Sequence, residues 1–331
     1  MQIYEDPSKW PGLGVIDPQL AQMIKEIPLL ATQSLADFPD TASAHKAVCG
    51  GAPADLTGVN KSEIRIPVRD GSSIRALRYE PQEKTRGDCP LALTFHGGGH
   101  CIGTAELEDF TSLLLVRKFG VVVVSIDYRL APEYPFPTAI HDSWDALNWC
   151  AENASSLGAD PSKGFLIGGS SAGANISAVL SHLARDNHIS PPLTAVFLNI
   201  PTICAPELLE KRFGSEYTSY NQNAHAPILD VKALEWFRGF YKPDPESELF
   251  SPLLWPSGHK GLPKTYIQVC GLDPLRDDGL LYARELSSAG VATKVDVCPG
   301  VPHNFEAVLP SLDMLAKAVQ DREAGFRWLL E

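Results

Sequence analysis

The sequence predicts an α/β fold built on a mostly parallel sheet with helices on both faces. Three observations carry this prediction: continuous apolar runs recur along the chain, helical patterns separate them, and one polar–apolar hairpin precedes them. An apolar run without alternation is typical of a strand that is covered on both faces, as in a parallel sheet flanked by helices. The regular alternation of strands and helices indicates the α/β class.

The strands are predicted from two kinds of pattern. Two segments alternate polar and apolar residues on either side of Asp70-Gly71, a dipeptide typical of hairpin turns, so two antiparallel strands should open the sheet. The later strands are continuous apolar runs. The predicted strands cover residues 62–70, 73–80, 91–96, 121–127, 164–169, 193–200, 265–271 and 293–298.

Helical periodicity predicts core helices at residues 139–151, 172–186, 278–289 and 312–330. Two further helices, near residues 18–27 and 231–240, fall in segments 1–50 and 204–250, which lie outside the strand–helix alternation. Ligands bind at the carboxyl edge of such sheets, so we interpret these segments as two parts of a cap over a core of residues 51–203 and 251–331. Two ordinary surface loops are the alternative.

Composition argues against several classes of function. The formal net charge of −12 disfavours nucleic acid and anionic lipid as partners. The seven cysteines are scattered and form no C-x-x-C pattern, which argues against a disulfide framework and a structural zinc site. The N-terminus has no apolar signal-peptide core, and the longest apolar stretch is too short to span a bilayer. We therefore expect a cytoplasmic protein without a membrane span.

A serine nucleophile is predicted where a strand meets a helix. Residues 169–173, GSSAG, match G-x-S-x-G, in which a sharp turn leaves no room for side chains two positions before and after the serine. The turn would expose the Ser171 hydroxyl at a helix N-terminus, whose dipole favours developing negative charge. Ser170 is the rival nucleophile within G-x-S-x-A, but Ser171 is preferred because glycine occupies both crowded positions.

A run of glycines provides the candidate oxyanion hole. The sequence HGGGH, residues 96–100, follows a predicted central strand, and consecutive glycines let backbone N–H groups approach an oxyanion directly. A flexible turn is the alternative. We assign the donors to the amides of Gly98, Gly99 and Ala172, and we expect His96 to pack against the loop and not to act as the base. The patterns typical of nucleotide-binding loops are absent from the sequence.

The base is assigned to His303 and the acid to Asp273. A serine hydroxyl needs a neutral imidazole to take its proton, and a carboxylate fixes the tautomer of that imidazole. After such an elbow the partners follow in the order Ser, acid, His. Of the histidines after Ser171, only His303 follows a late strand, and Asp273 directly follows another. Asp277 and Asp278 are fallbacks, but they fall at a helix start and suit capping better.

Residues next to the glycine loop and in the insertion are candidates for the substrate pocket. His100 and Cys101 are predicted to line it beside the oxyanion hole. The insertion adds aromatic side chains that could form an aromatic wall: Tyr217, Tyr220, Trp236 and Phe237. Packing in the core is the alternative interpretation for aromatic residues at helical spacing.

These ordered motifs resemble the hormone-sensitive-lipase group of α/β-hydrolases, which includes bacterial family IV esterases, plant carboxylesterases and arylacetamide deacetylase. The resemblance runs from about residue 60 to residue 310 and rests on HGGGH, DYRLAPEYPFP, GGSSAGAN, SPLLWP, GLDPLRDDG and PGVPHNF. It implies an eight-stranded α/β-hydrolase fold, a two-part helical cap, no metal or cofactor, and cleavage of esters with short or medium acyl chains. It agrees with the triad Ser171, Asp273 and His303.

Two positions depart from that family's usual pattern. Ser170 stands where the family usually has Asp, and Asn304 stands where Gly often follows the catalytic His. Other functions remain open. The same acyl-enzyme would serve a pathway-specific acyltransferase, a lactonase or a thioesterase. A non-catalytic small-molecule-binding protein is a further alternative: the plant gibberellin receptor resembles this family but lacks the catalytic histidine, which is present here as His303. The oligomeric state is open, with a homodimer as one candidate.

Overall fold

An eight-stranded sheet forms the centre of the computed structural model, which describes residues 2–51, 53–83 and 89–331. Met1, Ala52 and residues 84–88, which the predicted segments 1–50 and 51–203 include, lie outside the described residues. The strands are β1 Val59–Pro67, β2 Ser73–Pro81, β3 Leu91–Phe95, β4 Val122–Asp127, β5 Phe165–Ser170, β6 Ala195–Asn199, β7 Lys264–Leu272 and β8 Thr293–Pro302.

The strand order in the sheet is β1-β2-β4-β3-β5-β6-β7-β8. The pairs β1–β2 and β2–β4 are antiparallel, and all later pairs are parallel. This arrangement confirms the predicted class: a hairpin opens a sheet whose remaining strands run in parallel. The carboxyl ends of β3, β5, β7 and β8 therefore meet at one edge.

Helices lie on both faces of the sheet. The helices are α1 Trp10–Leu13, α2 Pro18–Glu26, α3 Leu29–Thr32, α4 Thr41–Cys49, α5 Asp109–Phe119, α6 Thr138–Glu152, α7 Ala172–Asp186, α8 Pro206–Phe213, α9 Ser219–Gln222, α10 Val231–Tyr241, α11 Arg276–Ser288, α12 Phe305–Val308 and α13 Met314–Leu330. Helices α5 and α13 pack on one face, and α6, α7 and α11 pack on the other.

Strand β4 shows why the central strands carry no polar alternation. Val122, Val124 and Ile126 belong to the apolar cluster on one face of the sheet, whereas Val123 belongs to the cluster on the other face. Successive side chains of a strand point to opposite faces, so a strand covered by helices on both sides is apolar at most positions. Ser125, which is also buried in β4, donates its hydroxyl to the carbonyl oxygen of Ala105 at 2.8 Å.

Several predicted bounds are wrong. Strand β1 ends at Pro67 and not at residue 70, because the Asp70 carboxylate accepts the Ser72 N–H at 3.0 Å and closes the turn. Strand β8 continues to Pro302, beyond the predicted end at residue 298. Helices α4, α5 and α8 had no counterpart among the predicted helices.

The segments at residues 1–50 and 204–250 contact each other. The Ser34 hydroxyl donates to Asp230 at 2.8 Å, and Lys232 forms an ion pair with Asp37 at 2.6 Å. Both contacts join the short helical turn at residues 35–37 and its flanks to the start of α10.

Within the described part of the chain, no helix is long and apolar enough to cross a membrane. The same residues contain no group of three or more His, Cys, Asp or Glu side chains that could hold a metal ion. All seven cysteines are free thiols.

Candidate active site

The elbow between β5 and α7 is a steric consequence of its two glycines. A Cβ atom at Gly169 would lie 2.2 Å from the carbonyl oxygen of Phe95, and one at Gly173 would lie 1.8 Å from the same oxygen. Real Cβ atoms do not approach so closely, so the turn can pack against β3 only when both positions are glycine. Ser171 at its apex has φ 55° and ψ −115°, a strained conformation typical of a nucleophile elbow.

The two serines of the elbow have different surroundings. The Ser170 hydroxyl accepts a hydrogen bond from the Asn199 side chain at 3.3 Å and is also hydrogen-bonded to the Glu108 carboxyl. Among the described residues, the Ser171 hydroxyl has no such partner, and Ser171 is half-buried in the wall of a large cavity. Of the two, Ser171 has the hydroxyl that is free to react.

The carboxyl ends of β7 and β8 place Asp273 beside His303. Leu272 pairs with Pro302 after a bulge, so the next residue of each strand is brought to the same point of the sheet edge. Nδ1 of His303 lies 2.7 Å from Oδ2 of Asp273. An ionised carboxylate only accepts hydrogen bonds, so Nδ1 is the donor and Nε2 is left to accept a proton.

Both members of this pair are buried. Asp273 is 1% exposed and His303 is 6% exposed. The second oxygen of Asp273 accepts the Leu275 N–H at 2.9 Å, which fixes the orientation of the carboxylate. His303 and Ser171 line the same cavity, although no hydrogen bond joins them in the part of the chain that is described. In sites without substrate the bond between nucleophile and base is often long and tightens only on binding.

The glycine loop presents free amides to the cavity. Gly98 and Gly99 have φ of 113° and 59°, and a Cβ atom at either position would collide with Ile102 or Phe237. Together with Ala172 they line the cavity. Across the described residues, none of these three amides donates a hydrogen bond to a protein acceptor. Three unpaired donors on a rigid loop and a helix N-terminus are what a developing oxyanion requires.

Neither histidine of the HGGGH loop is a candidate for the base. Nδ1 of His96 lies 2.7 Å from the carbonyl oxygen of Gly97, and its fully buried ring stacks on Tyr128. His100 stacks on Tyr241 with ring centroids 4.1 Å apart. Burial lowers the pKa of both imidazoles, to about 3 in His100, so both remain neutral at physiological pH.

The cavity has a volume of about 620 Å³, and its walls include residues from segments 1–50 and 204–250. The structure places three predicted pocket residues, His100, Tyr217 and Tyr220, on its wall. Cys101 is not among the lining residues, and its thiol lies 3.6 Å from the carbonyl oxygen of Phe237. Of the other aromatic candidates, Phe237 lines the cavity, whereas Trp236 instead packs against Phe237.

The two fallback acids do not cap α11, contrary to the sequence interpretation. The α11 N-cap is Leu275, without a side-chain cap. The Asp277 carboxylate accepts the backbone N–H groups of Thr218 and Ser219 at 2.7 Å each, and so holds the insertion against the core. Asp278 lines the cavity and accepts a backbone N–H from the loop after β6. In the described part of the chain neither carboxylate has a hydrogen bond to His303, whereas Asp273 does.

Glu108 is a member of the site that sequence reasoning missed. It is 2% exposed, lines the cavity and hydrogen-bonds Ser170 and Thr111. Burial raises the pKa of this carboxyl to about 7, although these hydrogen bonds and the charge of Arg322 partly oppose the rise. Only the absence of the family's usual Asp at position 170 could have signalled a compensating acid nearby.

The arrangement is that of a serine hydrolase on an α/β sheet, and comparisons with known proteins agree. A family model described as "alpha/beta hydrolase fold" matches residues 92–307, so the chain belongs to the α/β-hydrolase fold family. It is 38% identical over 320 residues to an AB hydrolase superfamily protein of Schizosaccharomyces pombe, covering 95% of this chain and 94% of that protein.

Two further relatives have more specific names. Carboxylesterase NlhH of Mycobacterium tuberculosis is 36% identical over 304 residues, covering 89% of this chain and 91% of that protein. The crystal structure of vibralactone cyclase superposes with a TM-score of 0.86 at 34% identity, covering 96% of each chain. The predicted resemblance to esterases of the α/β-hydrolase fold is thereby confirmed.

Proposed function

We propose that this carboxylic-ester hydrolase cleaves esters of short-to-medium acyl chains with Ser171 as nucleophile, His303 as base and Asp273 as orienting acid. The observation that carries the proposal is the 2.7 Å bond between Asp273 and His303 on the wall of the cavity that also contains the elbow serine. Similarity to a carboxylesterase supports an ester as the small-molecule substrate.

The proposed mechanism uses the groups at the carboxyl edge in turn. Nε2 of His303 takes the Ser171 proton as the hydroxyl oxygen attacks the ester carbonyl, and Asp273 stabilises the imidazolium. The amides of Gly98, Gly99 and Ala172 donate to the oxyanion. His303 then protonates the leaving alcohol, and a water molecule activated by the same imidazole hydrolyses the acyl-enzyme.

We further propose that residues 1–50 and 204–250 act as a two-part cap on this core. Residues of both segments line the cavity, among them Leu35 from the first and Phe237 from the second. The direct contact of Ser34 with Asp230 ties the two parts together. A cap of this kind excludes bulk water, which strengthens each electrostatic interaction in the site.

The test is turnover of a p-nitrophenyl ester series together with labelling by a fluorophosphonate probe. We expect Ser171→Ala to abolish labelling and to lower kcat by about 10⁶. Ser170→Ala is the matched control, because it removes the neighbouring hydroxyl of the same elbow. If Ser170→Ala abolished labelling and Ser171→Ala did not, the assignment of the nucleophile would be wrong.

A second candidate is acyl transfer within one substrate molecule. It is favoured by the high structural similarity to vibralactone cyclase and by a cavity wall rich in apolar side chains such as Leu229 and Phe250. Exclusion of water would let a hydroxyl of the substrate compete for the acyl-enzyme. Product analysis with an ester that carries a hydroxyl on its acyl chain separates the two: hydroxy acid indicates hydrolysis, and lactone indicates transfer.

We also propose a cytoplasmic location, which is supported by the seven free thiols, since oxidising compartments favour disulfides. Fractionation of cells that express the full chain tests this location. Formation of a homodimer stays a prediction, to be tested by light scattering on the purified protein.

A further inference from the structure

Within the described residues, several polar side chains of the cavity wall have a buried atom without a hydrogen-bond partner: Asp278 on α11, and His100 and Tyr241, whose rings stack on each other. Asp278 and Tyr217, which belongs to the insertion, both line the active-site cavity. The proposed reaction uses neither group. Apolar side chains, Phe250 and Leu275 among them, form the cavity wall together with these two residues.

The two oxygens of the Asp278 carboxyl differ in their hydrogen bonding to the described residues. It is 1% exposed, and its Oδ1 oxygen accepts the Ile203 N–H at 3.0 Å. The Cys204 amide also donates to this carboxyl. Within the described part of the chain, its Oδ2 oxygen is buried and has no hydrogen-bond partner. The backbone therefore holds one oxygen in place and leaves the other unpaired.

The Tyr217 hydroxyl is the second free group. The side chain is 8% exposed and lines the cavity, and over the described residues its hydroxyl forms no hydrogen bond with the protein. Burial raises the pKa of Tyr217 well above its usual range, and among its ionisable neighbours Asp278 adds most to this rise. Tyr220 differs in this respect, because its hydroxyl donates to Glu235 at 2.7 Å.

An unpaired buried polar atom is costly. Leaving one donor or acceptor unsatisfied costs about 1–3 kcal/mol, and a buried carboxyl without its full set of partners costs at least as much. The Oδ2 oxygen of Asp278 is such an atom, and a ligand in the cavity can supply its missing partner.

We propose that Asp278 and Tyr217 form a polar subsite in the cavity wall that binds a hydrogen-bond-accepting oxygen of the substrate, a carbonyl or a hydroxyl, remote from the ester that is cleaved. The inference rests on the proposed function and narrows its substrate class to oxygenated esters. An oxygen at the right distance from the scissile ester completes both groups, whereas a plain alkyl chain leaves both unpaired.

The charge state of Asp278 agrees with an acceptor as the ligand. Burial raises the pKa of this carboxyl well above its usual range, and the nearby charges of Asp273 and Asp277 add to the rise. The neutral acid is therefore favoured, and the proton lies on Oδ2, because Oδ1 already accepts backbone hydrogen bonds. A carboxylic O–H and a phenolic O–H are both donors, so an oxygen with free lone pairs is the partner that suits both.

The experiment measures binding on the Ser171→Ala background, where turnover does not interfere. The probes are p-nitrophenyl alkanoates and two matched series that carry a ketone or a hydroxyl at each acyl position in turn. We expect one position at which the oxygenated ester binds more tightly than the plain ester, by about five- to ten-fold for each of the two added hydrogen bonds. Comparison of the ketone series with the hydroxyl series shows which type of oxygen the subsite binds more tightly.

Three variants test the residues. Tyr217→Phe and Asp278→Val should each lower the preference by the factor of about five to ten that one hydrogen bond provides, whereas Asp278→Asn should retain it because its amide N–H can still donate. Tyr220→Phe is the matched control and should leave the preference unchanged. Tyr217→Phe loses one hydroxyl and keeps the ring, so it decides the case if Asp278→Val does not fold.

The inference is overturned if no oxygenated ester binds more tightly than its plain counterpart, or if Tyr220→Phe lowers the preference as much as Tyr217→Phe does. Failure of the proposed function has a different signature. In that case wild-type protein would not hydrolyse the plain esters, whatever their binding to the Ser171→Ala protein.

Discussion

Replacing Glu108 by Gln should stabilise the protein, and the gain should grow with pH. Glu108 is 2% exposed behind the elbow, and the nearby Arg322 guanidinium forms an ion pair with Glu306 at 2.7 Å. The charge of Glu306 itself raises the Glu108 pKa further. The folded protein therefore favours the neutral form of Glu108, which an amide of the same shape imitates.

The sign and size of the effect follow from the pKa. The folded-state pKa is raised from 4.5 to about 7, so the folded state binds the proton more tightly than the unfolded state does. Stability contributed by this proton is fully present below the unfolded pKa and is lost as pH rises through the folded pKa. Each pKa unit corresponds to about 1.4 kcal/mol, so the full loss in the wild type is about 3 kcal/mol.

The assay is equilibrium unfolding in guanidinium chloride, followed by tryptophan fluorescence at two pH values. Relative to wild type, we expect Glu108→Gln to gain less than about 1 kcal/mol at about pH 5 and about 3 kcal/mol at about pH 8. A difference between the two proteins that does not change with pH would refute the reasoning.

Glu106→Gln is the matched control, because it makes the same change in the same helical turn. Hydrogen bonds from Arg75 lower the pKa of Glu106 to about 2, so its charge contributes stability above the unfolded pKa. That stability is lost only as pH falls through the folded pKa. The control should therefore be less stable than wild type at both pH values and by a similar amount.

Three further predictions concern the elbow and the triad. Gly173→Ala should lower the free energy of unfolding, measured in guanidinium chloride, by at least about 3 kcal/mol, because the new Cβ would lie 1.8 Å from the Phe95 carbonyl oxygen. Gly239→Ala is the control: a Cβ at this helical position has none of the described atoms within 4 Å, so the free energy of unfolding should rise by about 0.5–1 kcal/mol. Asp273→Asn should lower kcat for a p-nitrophenyl ester by about 10⁴ while the thermal transition changes little; an unchanged kcat would remove this residue from the triad. Asn304 has φ 53° and ψ 30°, so Asn304→Gly should stay within about 0.5 kcal/mol of wild type and Asn304→Val should lose about 1–2 kcal/mol; equal stabilities would contradict the steric argument.

The left-handed conformation of Asn304 also accounts for one departure from the related family. Gly is often found after the catalytic His in that family, and Asn is among the few other residues that adopt this backbone region readily. The other departure, Ser170, is matched by the Glu108 carboxyl that hydrogen-bonds it. Both departures from the family pattern thus have a local structural explanation.

Local patterns were sufficient for the sheet and for the elbow. An apolar run such as residues 121–124, which overlaps the start of β4, reflects a strand with two covered faces, and the pattern is visible in the sequence. The sharp turn at Ser171 depends on bare backbone at Gly169 and Gly173, which is again a property of neighbouring residues. The ends of β1 and β8 could not be predicted, because strand ends depend on turn hydrogen bonds and on pairing with another strand.

The sequence by itself thus determined the α/β class, the elbow serine and the glycine loop. It left three neighbouring acids as candidates and missed the acid behind the elbow. Only the tertiary structure decided that Asp273 meets His303, that Asp278 faces the cavity and that Glu108 lies against Ser170. The reason is physical: backbone conformation is governed by residues close along the chain, whereas convergence of side chains depends on the register between strands and on how the connecting segments pack.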